Sequence, residues 1–198
     1  IHQGVNVTGV RVQNGRCVGV ETSAGPVSAG VVMSAVGGYV TPIADMAGLR
    51  LPIVTVPLQA LVTESYKPAL SRIVASADLH MYISQTDRGE FLIGAEIDPY
   101  PSYANRSTFP FLASLSARAV NLFPFLSQLT ILRQWTGLCD MTPDYSPLMG
   151  VTDVEGFYLS SGWGTWGFKA IPMGGLGMAE LIATRRVPPI IVPFALDR

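Results

Sequence analysis

The 198-residue chain is 48% hydrophobic and 14% charged, with a formal net charge of −1. That balance marks a core-rich globular chain, long enough to bury one good core or two small ones. It gives no electrostatic attraction for nucleic acid or an anionic membrane.

No apolar run reaches the length of a bilayer span, and the opening IHQGVNVTGV lacks the basic flank and apolar block of a secretory signal, so the cytoplasm is the expected location. From Val5 to about Val32 the pattern predicts a meander of short antiparallel strands at Val5/Val7, Val10/Val12, Cys17/Val18/Val20 and Val27. Turns are expected at Asn14-Gly15 and near Ala24-Gly25. Gly30 to Gly37, GVVMSAVG, is a continuous apolar run of the type buried in a parallel sheet. Gly37-Gly38 closes it and lets the backbone pass close to something bulky.

Between about Leu51 and Met141, strand-like segments follow at Leu58 to Val62, Met81 to Ser84 and Glu90 to Ala95, the last two joined by a hairpin at Asp87-Arg88-Gly89. Helix spacing takes over between Phe109 and Phe123, with Phe111/Leu115 and Ala119/Leu122/Phe123 on compatible faces and Pro124 as the stop. A strand from Thr130 to Thr136 returns. Strands with one packed helix make an α+β domain.

The closing region begins at Thr142. Phe157 to Ser161 reads as a short buried strand, and Gly162 to Gly177, GWGTWGFKAIPMGGLG, combines glycine turns, one lysine and a helix start. Pro172 fits the first turn of a helix ending near Arg186, with Met178, Leu181 and Ile182 on its apolar face. Free N–H groups at such a start favour negative charge on a flat ligand such as a reduced flavin. No GxGxxG fingerprint for a dinucleotide pyrophosphate precedes this stretch, whose own Gly162, Gly164 and Gly167 have that spacing but lie near the chain's closing helix.

Cys17 and Cys139 have no neighbours at metal-ligand spacing, so neither a zinc site nor a disulfide framework is expected. His2 and His80 are isolated and read as structural or surface residues. Lys169, inside the glycine stretch, is suited to hold a substrate carboxylate by a charge-assisted hydrogen bond; the alternative is a surface lysine at a helix entry. Arg133 suits a phosphate or carboxylate, or a structural ion pair with Asp140 or Asp144. Tyr82 is either a pocket residue or a packed strand aromatic.

Five blocks in order carry a family resemblance: VNVTGVRVQNGRCVGVET, LRLPIVTVPLQALVTE, YISQTDRGEFLIGAEIDPY, DMTPDYSPLMG with the glycine stretch after it, and PFALDR. The chain resembles the C-terminal half of the beta subunits of heterotetrameric sarcosine oxidases, within the glycine and D-amino-acid oxidase family of flavoproteins. The fold implied is α/β plus α+β: the C-terminal half of a FAD-binding Rossmann-like domain with an inserted antiparallel-sheet substrate domain. Residues 1–50 and 142–198 fall to the FAD-binding part, whose GxGxxG turn the family places upstream, and 51–141 to the substrate-binding part.

The resemblance implies FAD as cofactor and oxidative demethylation of sarcosine to glycine, formaldehyde and hydrogen peroxide. Alternatives are oxidation of proline, an opine or glycine, or an inactive structural fragment. It assigns substrate or flavin contacts to Lys169 and aligns Tyr82 with a substrate-pocket tyrosine; Arg133, by its charge and strand, is a further candidate catalytic residue. Cofactor contacts fall to Val7, Gly162, Gly164, Thr165 and Gly167. No metal is implied. FMN is implied only for the longer parent, since its attachment histidine lies upstream, and the partners implied are a larger NAD-containing alpha subunit and small subunits. Trp166 departs from the family, which carries a small residue or a histidine there; either it narrows the pocket or it turns away as packing.

Overall fold

The computed structural model describes residues 1–94 and 98–198. In chain order the elements are β1 (Val7–Gln13), β2 (Arg16–Thr22), β3 (Val27–Ser28), β4 (Val32–Ser34), α1 (Val40–Met46), β5 (Val54–Ser65), β6 (Val74–Ser76), β7 (Met81–Gln85), β8 (Glu90–Ile97), α2 (Phe109–Leu122), β9 (Ile131–Met141), β10 (Leu148–Val151), β11 (Phe157–Ser161) and α3 (Gly167–Thr184). Two compact units result, one built from residues 1–55 and 139–198 and the other from residues 56–138.

The first unit holds two small sheets. β1, β2 and β3 form the antiparallel meander, with Asn14 (φ 49°) and Gly15 (φ 78°) both left-handed at the first turn, as a two-residue hairpin requires. The two short segments expected at Val5/Val7 and Val10/Val12 are one strand, β1. In the second sheet β11 pairs antiparallel with β10 and parallel with β4, so β4 and β11 end on the same side. One face packs on α1 through Val40, Ala44, Phe157 and Leu159; a second cluster joins Met149 and Tyr158 to Met178 and Leu181 of α3.

GVVMSAVG departs from its expectation. Only Val32–Ser34 forms a strand, it is an edge, and Met33 is 43% exposed. A parallel strand is buried on both faces only when helices cover both and neighbours flank it, and β4 has one paired neighbour. The helix start also differs. α3 begins at Gly167 rather than at Pro172, which lies inside the helix, and it ends at Thr184 with Arg185 left-handed at φ 61°.

The second unit is a five-stranded sheet in the order β6-β7-β8-β5-β9, crossed by α2. Thr108 caps α2 by accepting the Phe111 N–H, and Phe111, Leu115 and Ala119 fall on one face at helical spacing. They pack on Leu61, Met81, Ile83, Phe91 and Ile93. The hairpin at Asp87-Arg88-Gly89 forms, closed by the Thr86 N–H to the Glu90 carbonyl and by Gly89 at φ 100°. Of the predicted Glu90 to Ala95 segment, Ala95 lies outside the described residues. β9 continues five residues beyond the predicted Thr136, to Met141.

Candidate active site

In the first unit the candidate residues gather where β11 gives way to α3. Gly162 and Gly164 have φ of 72° and 52°. A Cβ at Gly162 would lie 2.7 Å from Thr142 Cγ2, and one at Gly164 3.1 Å from Met141 Sδ. Both positions therefore demand glycine for reasons internal to the chain. Asp140, buried at the end of β9, fixes the turn: its Oδ2 accepts the Gly162 N–H at 2.6 Å and its Oδ1 the Gly164 N–H at 3.3 Å, while its carbonyl also accepts the latter at 3.1 Å.

Those two N–H groups are thus occupied. Contact from Gly162 or Gly164 to a bound group falls to Cα and carbonyl atoms, and donors come from further along. Trp166 occupies the N-cap of α3 without a side-chain cap, and no acidic residue lies in the first turn. The N–H groups of Gly167, Phe168 and Lys169 belong to the turn that has no intrahelical acceptor. Lys169 is exposed on that turn, and no carboxylate pairs with it among the described residues. A cation at the positive end of a helix dipole is unfavourable by about 0.3–1 kcal/mol, so its place there has no structural explanation, whereas an anion bound there gains from both charges.

Thr165 is exposed beside it, and Gly167 backs onto Trp163, where a Cβ would meet the Trp163 Cβ at 3.0 Å. Trp166 is 66% exposed, so it does not turn away into the core. Val7, half out of the first sheet, pairs through its backbone with Thr22 at the start of β1.

Two buried hydroxyls were not singled out by the sequence. Ser34 and Ser161 end β4 and β11, the two parallel strands, and neither Oγ has a hydrogen-bond partner. Unpartnered polar atoms at the carboxyl ends of parallel strands, followed by glycines at 37–38 and 162–164, mark the place where α/β sheets take ligands. The residues present fit the ring end of a flavin: small, glycine-lined, with an uncapped helix start. The signal was available, since serine interrupts GVVMSAVG and precedes Gly162. Asp140 carried a similar signal, as a carboxylate in the apolar end of a strand.

The second unit carries Tyr82 and Arg133. Met81 and Ile83 pack against α2, so Tyr82 faces away from it. Gln134 Nε2 donates to Gln59 Oε1 and to the Thr108 carbonyl at the start of α2, so its neighbour Arg133 faces away too. The two share the outer sheet face, but β8 and β5 separate their strands, about 14 Å between backbones. Burial raises the Tyr82 phenol above its ordinary value, leaving it a donor at neutral pH. The expected ion pair of Arg133 with Asp140 or Asp144 is not formed: Asp140 serves the glycine amides and Asp144 pairs with Arg198 at 3.0 Å. Among the described residues no cluster could hold a metal, and no helix is long and apolar enough to cross a membrane.

A family model described as FAD dependent oxidoreductase, DAO, matches residues 1–181. The chain is 42% identical over 196 residues to the sarcosine oxidase subunit beta of Rhodobacter capsulatus, an alignment covering 99% of this chain and 47% of that one. It is similar to the crystal structure of L-proline dehydrogenase from P. horikoshii at 30% identity and a TM-score of 0.86, covering 94% of this chain and 52% of that one. Glycine oxidase from Geobacillus kaustophilus shares the fold with a TM-score of 0.89 at 24% identity, over 100% of this chain and 53% of that one. The chain spans about half the length of the curated relatives it matches.

Proposed function

Because this chain belongs to the family of FAD dependent oxidoreductases, we propose that it forms the ring-side part of a flavin site that oxidises an amino acid at a secondary amine, with sarcosine as the first substrate. The observation that carries this reading is Lys169, exposed and without a carboxylate partner on the uncapped first turn of α3. The relative from Rhodobacter capsulatus, named for sarcosine, supports the substrate.

FAD, when bound, would supply the two-electron acceptor for oxidation at the carbon beside the amine nitrogen, with O2 as the final oxidant. The chain's own residues orient and desolvate. Lys169 holds the substrate carboxylate, and the N–H groups of Gly167 and Phe168 add positive potential. The small surfaces of Gly162, Gly164 and Gly167, with Thr165, border the ring, Val7 offers backbone to the adenine, and the Ser34 and Ser161 hydroxyls await polar partners. Tyr82 donates from the outer face of the substrate-binding sheet, and Arg133 supplies a second cation there. Loss of a hydride equivalent from the methyl carbon and a proton from the nitrogen turns the substrate into an imine, which water splits to glycine and formaldehyde, while O2 takes up two electrons and two protons as hydrogen peroxide.

In this reading residues 1–50 and 142–198 belong to the FAD-binding domain and 51–141 to the substrate-binding domain. The enzyme works in the cytoplasm as one subunit beside an NAD-containing alpha subunit and small subunits; the relatives' designation as subunit beta supports such an assembly. A second reading keeps the flavin and changes the substrate to proline, favoured by the likeness to L-proline dehydrogenase. Steady-state turnover of the flavin-loaded protein on sarcosine and on proline separates the two, and absence of sarcosine turnover sinks the first. Lys169→Met should raise the apparent KM at least about tenfold, the loss expected for a charged hydrogen bond.

A further inference from the structure

We propose that Asp140 is a positioning residue for the amino end of α3: its carboxylate holds the Gly162 to Gly164 turn and so sets where Lys169 stands. The inference rests on the reading of Lys169 as the carboxylate-binding group.

Asp140 is buried, and no lysine or arginine pairs with it among the described residues. A carboxylate taken from water without a counter-cation is costly, and here only the amide N–H groups of Gly162 and Gly164 offset that cost. An apolar residue of similar size would fill the same volume without it. What the carboxylate adds is two acceptor oxygens aimed at two N–H groups of one left-handed turn, which fixes that turn's conformation.

From Gly164 the chain reaches the helix in three residues, and two hydrogen bonds of Trp163 brace that passage. The Trp166 N–H donates to the Trp163 carbonyl at 3.0 Å. The Trp163 indole N–H donates to Ser160 Oγ at 3.3 Å. The indole fills the space that a side chain on α3 would need, since a Cβ at Gly174 would stand 2.9 Å from its Cζ2. The first turn of α3 therefore stands where the glycine turn delivers it. Asp140 is the one charged group fastening that turn among the described residues, across 22 positions of sequence.

Asp140→Asn in the flavin-loaded protein keeps the size of the side chain but sets an amide donor against one glycine N–H. Amide hydrogen exchange in the segment 161–170 should rise at least about tenfold, with the β7–β8 hairpin unchanged, and the apparent KM for sarcosine should rise about tenfold while flavin content and kcat stay within about twofold. In a Lys169→Met background the same substitution should add less than about twofold to KM, because the group it places is gone. Unchanged exchange in 161–170 overturns the proposal, and so does an equal KM rise in both backgrounds. A Lys169→Met variant with unaltered KM removes the lysine reading, and the exchange result then still decides whether Asp140 holds the turn. If the asparagine variant fails to fold, Asp140→Glu keeps both oxygens, and a smaller rise of both readouts is expected; wild-type values of both would overturn the proposal.

Discussion

The Tyr82 ring lies across Gly94 on the neighbouring strand, so close that a Cβ at Gly94 would stand 2.2 Å from Tyr82 Cζ. The glycine is the floor on which the tyrosine rests, and the phenol oxygen is carried over β8 towards the middle of the sheet. Gly94→Ala should force the ring aside and destabilise the protein by about 1–3 kcal/mol, the usual cost of overpacking. In a Tyr82→Ala background the same change should cost far less, and chemical denaturation of the four variants measures the coupling. Additive effects would mean that the ring moves freely.

Two glycines of α3 should respond in opposite directions to the same substitution. Gly175 faces open space, so Gly175→Ala should stabilise by up to about 1 kcal/mol through helix propensity. At Gly174 a Cβ meets the rigid Trp163 indole, so the overpacking cost of about 1–3 kcal/mol exceeds that gain and Gly174→Ala should destabilise. Thermal melts showing the same sign for both would refute the packing described for Trp163.

Much of this arrangement follows from local rules. Asn14-Gly15, Asp87-Arg88-Gly89, the helix after Thr108 and the strand Phe157–Ser161 each carry their own turn, cap or period, and the structure places elements there. α1 was not legible, because seven residues containing Pro42 show little amphipathic contrast and the helix is held by burying Val40 and Ala44. β6 and β10 are too short to show a period. The true start of α3 is set by Trp163 packing on Gly167, a contact that no periodicity reveals, and by Asp140 on the glycine turn, 22 residues away in sequence. Lys169 was legible as a lysine in a glycine stretch at a helix entry; with Pro172 read into the first turn, its place inside that turn was not.

Cys139 is buried beside Asp140, and burial, then that neighbouring charge, pushes its thiol up to about 11. At neutral pH almost none is thiolate, so Cys139 should resist iodoacetamide in the folded protein and react readily in denaturant. Cys17, fully buried, should behave alike. Peptide mass spectrometry reads both, and rapid native labelling of Cys139 would contradict its burial.

Arg198 clamps Asp144 through Nε and Nη2, and that hydrogen bond, followed by the Ser146 N–H, lowers the Asp144 carboxyl from 3.8 to about 2. A carboxyl lowered on folding stabilises the fold above its ordinary range and loses that contribution as pH falls through the folded value. The segment 195–198 should therefore stay protected from hydrogen exchange at pH 4 and loosen towards pH 2, roughly the window those values define. Asp144→Asn should abolish the pH dependence, and protection that persists unchanged at pH 2 would count against the clamp.

Pro172 sits at the sixth position of α3 and has no N–H to give the Phe168 carbonyl four residues earlier. α3 is thereby mechanically two pieces, a short front turn bearing Lys169 and a longer body seated on Met149 and Tyr158, joined by one rung fewer than a continuous helix would have. The body cannot hold the front turn to attention by itself. Whatever stiffness Lys169 has must arrive from the other direction, along the loop that leaves β11, which makes the loop the anchor and the helix its passenger.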